Sequence, residues 1–127
     1  MYQVGHRTGA YEVLEVLGAG AMGKVYKVRN VISDRVEAMK VLLPNLEASP
    51  ELGERFLREI KVQATLQHKN IAQLHTAQRD GQKMLMLIEY VDGITLETAL
   101  ERTRISTELV VNIVLQVLEA LAYAHSR

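Results

Sequence analysis

Alternating apolar and polar residues in the first third of the chain predict three consecutive strands. Tyr11 to Leu17 is the first, Lys24 to Arg29 the core of the second, and Val36 to Leu43 the third. A glycine-rich segment separates the first two strands, and Ser33-Asp34 marks a turn before the third. The pattern therefore predicts a sheet whose first connection is rich in glycine.

A helical pattern follows the third strand and predicts a helix from about Pro50 to Gln67. Ser49 can cap this helix, and a proline at its first position suits its start. Apolar residues recur at every fourth position and predict the buried stripe: Leu52, Phe56, Ile60 and Ala64. Glu59 lies beside the stripe, where spacing alone indicates a solvated acid paired with Arg55 or Gln63.

Two more strands, Ile71 to Gln78 and Lys83 to Tyr90, are predicted on either side of a hairpin signal. That signal is the Asp80-Gly81 pair, which is typical of a tight turn. Val91-Asp92-Gly93 then breaks the strand pattern and indicates a linker. A short helix is predicted from Thr95 to about Arg102.

The last predicted helix is apolar over most of its surface. Twelve of the fifteen residues from Leu109 to Tyr123 are apolar. The exceptions, Asn112, Gln116 and Glu119, fall on one narrow helical stripe. Such a helix is expected to be buried on most sides.

The composition suits a single domain, and it excludes several classes of site. A chain of 127 residues can bury a substantial core. Fifteen basic and fifteen acidic residues balance, so no nucleic-acid partner is expected. The chain has no cysteine, and its four histidines lack close ligand spacing, so no metal site is expected either. No signal peptide or membrane span stands out, and we expect a cytoplasmic protein.

The glycine-rich segment indicates a nucleotide site, because Gly18, Gly20 and Gly23 let the backbone approach phosphate oxygens closely. A dinucleotide-binding turn would open a helix, whereas a strand follows here. A phosphate loop of nucleotide hydrolases would need a hydroxyl residue where Val25 stands. The remaining interpretation is strand, glycine turn, strand and a lysine, Lys40, on a third strand.

Five motifs in order give the chain its resemblance to a known family. They are Gly18-x-Gly20-x-x-Gly23-x-Val25, Ala38-Met39-Lys40, Arg55-Phe56-Leu57-Arg58-Glu59, Leu66-Gln67-His68-Lys69-Asn70-Ile71 and Ile88-Glu89-Tyr90-Val91-Asp92-Gly93. From Tyr11 to Arg127 the chain resembles the N-terminal lobe of protein kinases, most closely bacterial serine/threonine kinases of eukaryotic type. The resemblance implies an α+β fold with a five-stranded antiparallel sheet, one long helix, and the first two helices of an incomplete C-terminal lobe. The polar, small residues at the start of the chain indicate a flexible lead-in at 1–10. The resemblance implies the N-terminal lobe and hinge at 11–93 and C-terminal-lobe helices at 94–127.

The same resemblance implies ATP as the nucleotide and assigns roles to individual residues. The three glycines would cover the phosphates, and Lys40 would bind the α and β phosphates while Glu59 holds it. Apolar side chains would enclose the adenine, with a gatekeeper behind it and hinge backbone groups beside its edge. The implied residues are Leu17, Val25 and Ala38 around the adenine, Ile88 as gatekeeper, Glu89 and Val91 in the hinge, and Thr95 near the ribose.

For function, the resemblance implies phosphoryl transfer from ATP to serine or threonine hydroxyls of protein substrates by a longer parent. His125 is not followed by the Arg-Asp of the catalytic loop, so the family's base and its main Mg²⁺ ligands are not matched here. These 127 residues are expected to be inactive alone. A non-catalytic binding or dimerisation module remains the alternative, and a small-molecule kinase of related fold is a third possibility. The apolar last helix also leads us to expect self-association through residues 106–124.

Overall fold

The computed structural model describes residues 2–20, 23–42, 50–81 and 83–127. The strands in these ranges are β1 (Arg7–Thr8), β2 (Tyr11–Ala19), β3 (Gly23–Asn30), β4 (Val36–Leu42), β5 (Leu74–Asp80) and β6 (Lys83–Glu89). The helices are α1 (Pro50–Ala64), α2 (Leu96–Arg102) and α3 (Thr107–His125). The predicted cap Ser49, the end of the third strand at Leu43, and Ala21 and Met22 of the glycine segment lie outside the described residues.

All six strands form one antiparallel sheet in the order β1-β2-β3-β4-β6-β5. This confirms the predicted α+β class, with one long helix and two further helices. The sheet has six strands where five were predicted, because Arg7 and Thr8 pair with Glu12 and Tyr11. Two polar residues carry no apolar alternation, so the sequence pattern could not mark this short strand.

The N-terminal segment, residues 2–10, packs on the sheet, although the sequence indicated a loose lead-in. Tyr2 and Thr8 are buried. The Tyr2 hydroxyl donates to Asp80 Oδ2 at 2.6 Å, and the Thr8 hydroxyl donates to the same oxygen at 2.7 Å. The Tyr2 backbone N–H also donates to the Tyr26 hydroxyl at 3.1 Å. The hydrogen bonds from Tyr2 and then Thr8 hold the pKa of Asp80 below its ordinary value.

Helix α1 ends three residues earlier than predicted. After Ala64, the Thr65 N–H donates to the Val62 carbonyl and the Leu66 N–H to the Gln63 carbonyl, which closes the helix with tighter turns. In the predicted stripe Phe56 and Ile60 are buried and Leu52 is half-buried, but Ala64 is exposed. The stripe therefore holds the helix on the sheet mainly through its middle.

The hairpin of β5 and β6 occurs where the Asp-Gly pair predicted it. Gly81 has φ 63°, in the left-handed region that favours glycine, while Gln82 lies outside the described residues. Strand β5 starts at Leu74 and ends at Asp80, later than the predicted segment from Ile71 to Gln78. Its register shifts between Leu74 and Thr76.

Two hydrophobic clusters lie on opposite faces of the sheet. The outer cluster consists of Tyr2, Tyr11, Val13, Tyr26, Val28, Met39, Val41, Leu85 and Leu87. The inner cluster lies between the sheet and α1 and consists of Leu42, Phe56, Ile60, Leu74 and Met86, with Met84 and Ile88 packed against it. Because strand residues alternate between faces, Ala38 and Lys40 lie on the same face of β4 as Leu42 of the inner cluster.

Helix α3 is exposed in this chain, whereas its apolar pattern predicted burial on most sides. Ser106 caps it by accepting a hydrogen bond from the Leu109 N–H, and Ala120 is its buried residue. Eight large apolar side chains of α3 are 38% to 55% exposed. By length and composition α3 could cross a membrane, a test that core helices of soluble proteins also pass. Its apolar surface is thus uncovered by the other described elements.

Candidate nucleotide site

The strand residues assigned to the nucleotide site share the inner face of the sheet. Val25 is paired with Lys40 between β3 and β4, and Ala38 is paired with Ile88 between β4 and β6. Directly paired residues of antiparallel strands direct their side chains to the same face. The structure therefore brings these four predicted residues together on one surface, with Val25 and Ala38 only partly buried.

Helix α1 places Glu59 against the lysine at the end of this surface. Phe56 and Ile60 fix the helix in the inner cluster, and Glu59 directly precedes Ile60. Lys40 Nζ lies 2.7 Å from Glu59 Oε1, and the two side chains are 26% and 39% exposed. The Phe56 ring centroid is 5.9 Å from the same Nζ. The partner of Glu59 is therefore Lys40, not the Arg55 or Gln63 that helix spacing suggested.

The glycines of the first connection differ in what surrounds them. A Cβ on Gly23 would overlap the Val41 carbonyl, so this glycine permits the close approach of β3 and β4. A Cβ on Gly18 or Gly20 would meet nothing within 4 Å. Gly18 is paired with Val25, and the Gly20 N–H donates to the Gly23 carbonyl at 2.8 Å. Packing explains Gly23, whereas Gly18 and Gly20 leave open space for an external group.

The predicted hinge begins where β6 ends. The Glu89 N–H donates to the Gln73 carbonyl at 2.8 Å, and Glu89 Oε1 accepts from the Gln73 N–H at 3.1 Å. Val91 is 65% exposed, and no acceptor for its N–H is found among the described residues. The Gln73 contacts fix the start of the hinge, while the Val91 N–H remains available to a ligand edge.

Two other assigned residues lie at the margins of this surface. Leu17 is exposed and falls at the register shift between Val16 and Gly18, where β2 leaves its regular pairing with β3. Thr95 is the N-cap of α2, and its hydroxyl oxygen accepts from the Thr98 N–H at 3.1 Å. Thr95 therefore has a structural role that accounts for it without a ribose.

The structure also joins residues that sequence reasoning did not connect. The Gln67 N–H donates to the Tyr123 hydroxyl at 2.9 Å, and Asn70 Nδ2 donates to the Gln116 carbonyl at 3.0 Å. These bonds attach α3 to the loop after α1. Lys27 Nζ lies 4.9 Å from the Tyr90 ring centroid. The alternation of β3 places Lys27 on the Val25 face, but nothing in the sequence indicates its partner.

The chemistry of this surface suits a nucleotide. At one end, the apolar sheet face and the available N–H match the chemistry of adenine. At the other end, the open glycine backbone and the partly exposed ammonium match that of phosphates. Among the residues described, no three or more His, Cys, Asp or Glu side chains are grouped to hold a metal ion.

Comparisons with known proteins identify the family of this chain. The protein kinase domain family matches residues 11–127. The serine/threonine-protein kinase PknJ of Mycobacterium tuberculosis is 37% identical over 117 residues, which are 92% of this chain and 20% of PknJ. The serine/threonine-protein kinase PrkC of Bacillus subtilis is 32% identical over 119 residues, which are 93% of this chain and 18% of PrkC.

A solved structure gives the same result for the fold. The crystal structure of the M. tuberculosis PknI kinase domain superposes with a TM-score of 0.82 at 33% identity, covering 100% of this chain and 52% of that one. The chain thus spans about half of this solved kinase domain and about a fifth of the two curated relatives. With a family match over nearly all of its residues, this chain belongs to the protein kinase family.

Proposed function

We propose that this chain is the ATP-binding part of a serine/threonine protein kinase. The observation that carries the proposal is the contact of 2.7 Å between Lys40 Nζ and Glu59 Oε1. Glu59 orients the ammonium but leaves it partly exposed at the end of an apolar sheet face. A held cation at that point suits the α and β phosphates of ATP.

The remaining contacts to ATP follow from positions along the same face. Val25 and Ala38 offer apolar surface to the adenine, and Ile88 closes the far side. The exposed Val91 N–H and the Glu89 carbonyl can pair with the adenine edge, as the family resemblance implies. Gly18 and Gly20 can bring backbone N–H groups close to the phosphates because no side chain intervenes.

Catalysis in this proposal belongs to a longer parent that phosphorylates serine or threonine hydroxyls of protein substrates. The family's base and main Mg²⁺ ligands are not matched within these 127 residues. Phosphoryl transfer depends on positioning and charge stabilisation around the γ-phosphate. We therefore expect the 127-residue chain alone to bind ATP weakly, with little dependence on Mg²⁺, and to transfer no phosphate.

Titrations of ATP and adenosine against Lys40→Met test the nucleotide assignment. A charge-assisted contact contributes about 1.5–3 kcal/mol, so ATP affinity should fall about ten- to a hundredfold. Adenosine affinity should stay nearly constant, because adenosine carries no phosphate. Lys61→Met is the matched control, since Lys61 lies on the exposed side of the last turn of α1. Equal losses for ATP and adenosine would reject the phosphate contact.

The alternative function, a binding or dimerisation module, draws support from the surface of α3. Its apolar side chains are about half exposed, so each would gain roughly 1 kcal/mol from being covered, and monomers rarely leave so large a patch in water. We propose self-association through residues 106–124, by two-fold pairing of α3 or by its exchange between chains across Val91-Asp92-Gly93. This association is compatible with ATP binding.

Light scattering coupled to size exclusion tests the association. The chain should elute as a dimer or larger species at high micromolar concentration. The pair Leu115→Gln and Leu118→Gln should shift it toward the monomer, because both side chains are more than half exposed on α3. Val62→Gln, equally exposed on α1, is the control. A monodisperse monomer that binds no hydrophobic dye would contradict the proposal.

A further inference from the structure

A cation–π contact joins the middle of the sheet to the hinge. Lys27 Nζ lies 4.9 Å from the centroid of the Tyr90 ring, within the range at which an ammonium is attracted to an aromatic face. Tyr90 lies between Glu89 and Val91, the two residues whose backbone groups would meet the adenine edge. The contact therefore involves the residue whose two neighbours would form hydrogen bonds with the adenine.

The sheet register explains how a β3 side chain reaches this position. Lys27 is paired with Ala38 between β3 and β4, and Ala38 is paired with Ile88 between β4 and β6. The three side chains thus form a row across the inner face. Strands β3 and β6 are roughly 10 Å apart, two strand spacings, which a lysine stem can largely bridge.

The ammonium of Lys27 contacts the ring although a carboxylate is available on the neighbouring strand. Glu15 is paired with Lys27 between β2 and β3. The ion pairs found within the described ranges nevertheless include none formed by Lys27. In the described residues, the Lys27 ammonium therefore contacts the Tyr90 ring of the hinge and not a carboxylate.

We propose that Lys27 is a positioning residue for the nucleobase. Its cation holds the Tyr90 ring, and the ring restrains the backbone that presents the Glu89 carbonyl and the Val91 N–H. The role rests on the proposed function, because it presupposes adenine at this edge. Lys27 acts through Tyr90 and makes no contact with the phosphates, which sets it apart from Lys40.

Binding of adenosine and ATP, followed through the amide resonances of Tyr90 and Val91, tests this role. Lys27→Met should weaken adenosine and ATP by the same factor, about two- to fivefold, because a partly exposed cation–π contact is modest. Lys27→Arg should restore most of the affinity, since guanidinium also binds aromatic faces. Adding Lys27→Met to Tyr90→Leu should cause no further loss, because the ring through which the cation acts is already gone.

Each other outcome has a definite meaning. A loss for ATP but not adenosine would overturn the positioning role and make Lys27 a phosphate contact. Unchanged affinities, or additive losses in the double variant, would also overturn it. If the unsubstituted chain bound neither ligand, the proposed function would fail, and this role with it. If Lys40→Met weakened ATP while Lys27→Met changed nothing, only the role of Lys27 would fail.

Discussion

Replacing His75 with alanine should destabilise the chain by about 3 kcal/mol, because it removes the main partner of a buried carboxylate. Glu37 on β4 is completely buried, and its Oε2 lies 2.7 Å from His75 Nδ1 on β5. The strand between them is β6, so this contact ties non-adjacent strands of the sheet. Without the imidazole, the carboxylate would remain in the interior with its best hydrogen bond lost.

The magnitude follows from what remains around Glu37 after the substitution. Leaving a buried charge without its partner typically costs about 3–5 kcal/mol. Arg35 Nε lies 3.3 Å from Glu37 Oε1, but this oxygen has no hydrogen bond among the described residues, so the contact is one of charge alone. The Arg35 side chain is 56% exposed, which lets water screen it. Arg35 offsets part of the loss, and the lower end of the range is expected.

Two controls separate this explanation from a general loss of packing. Arg35→Ala should cost less than about 1 kcal/mol, because the side chain is largely in water. Replacing both partners, with Glu37→Val and His75→Phe together, removes the buried charge as well as its partner. That double variant should unfold within about 1 kcal/mol of the unsubstituted chain, since apolar replacements of buried pairs are often neutral or better.

Urea unfolding followed by far-ultraviolet circular dichroism measures these differences. Two protein concentrations should be compared, so that any effect of self-association is separated from the change within one chain. The reasoning would be refuted if His75→Ala unfolded within about 0.5 kcal/mol of the unsubstituted chain. It would equally be refuted if the double variant were as unstable as the single one.

Two further predictions concern the glycines and the N-terminal segment. Gly23→Ala should lower the free energy of unfolding by about 1–3 kcal/mol, because its Cβ would overlap the Val41 carbonyl. Gly18→Ala should change it by less than about 0.5 kcal/mol, because its Cβ would meet nothing within 4 Å. Thermal unfolding measures both changes, and equal effects of the two substitutions would contradict this prediction. Hydrogen bonds from Tyr2 and Thr8 lower the pKa of Asp80, so their stabilisation is present above the ordinary aspartate pKa of about 3.9 and is lost as pH falls through the lower folded-state value. Melting temperatures measured from pH 2 to 7 should show that loss. Asp80→Asn should lower the melting temperature at pH 7 and make it depend less on pH in the acidic range.

The local parts of this fold could be predicted from the sequence because each carries its own signal. Alternation along β3 identifies Tyr26 and Val28 as core, and they are buried. The Asp80-Gly81 pair marks the hairpin, where glycine adopts a left-handed φ. The motif containing Lys40 and the motif containing Glu59 are each recognisable, so their residues could be assigned before their contact was seen.

Contacts between distant segments could not be predicted in this way. Strand β1 has two residues, and it is held by Tyr2 and Thr8 bonding to Asp80, so no local pattern reveals it. In the sequence, Glu37 is one polar position in a predicted strand. Its burial depends on a hydrogen-bond partner, His75, that comes from another strand. The exposure of α3 likewise depends on which elements surround it. The pattern of apolar and polar residues along the helix shows only how much of its surface is apolar.

The bonds from Tyr2 and Thr8 to Asp80 also have a consequence for the order in which the chain acquires its structure. They join residues 78 and 72 positions apart. A ribosome that adds 5–20 residues per second needs roughly 4 to 16 s to make the chain between them. Closing so long a loop is entropically costly, which favours late formation. Tyr2 and Thr8 are therefore among the last of these residues to reach their final positions, and until then the outer cluster of the sheet lacks the Tyr2 ring.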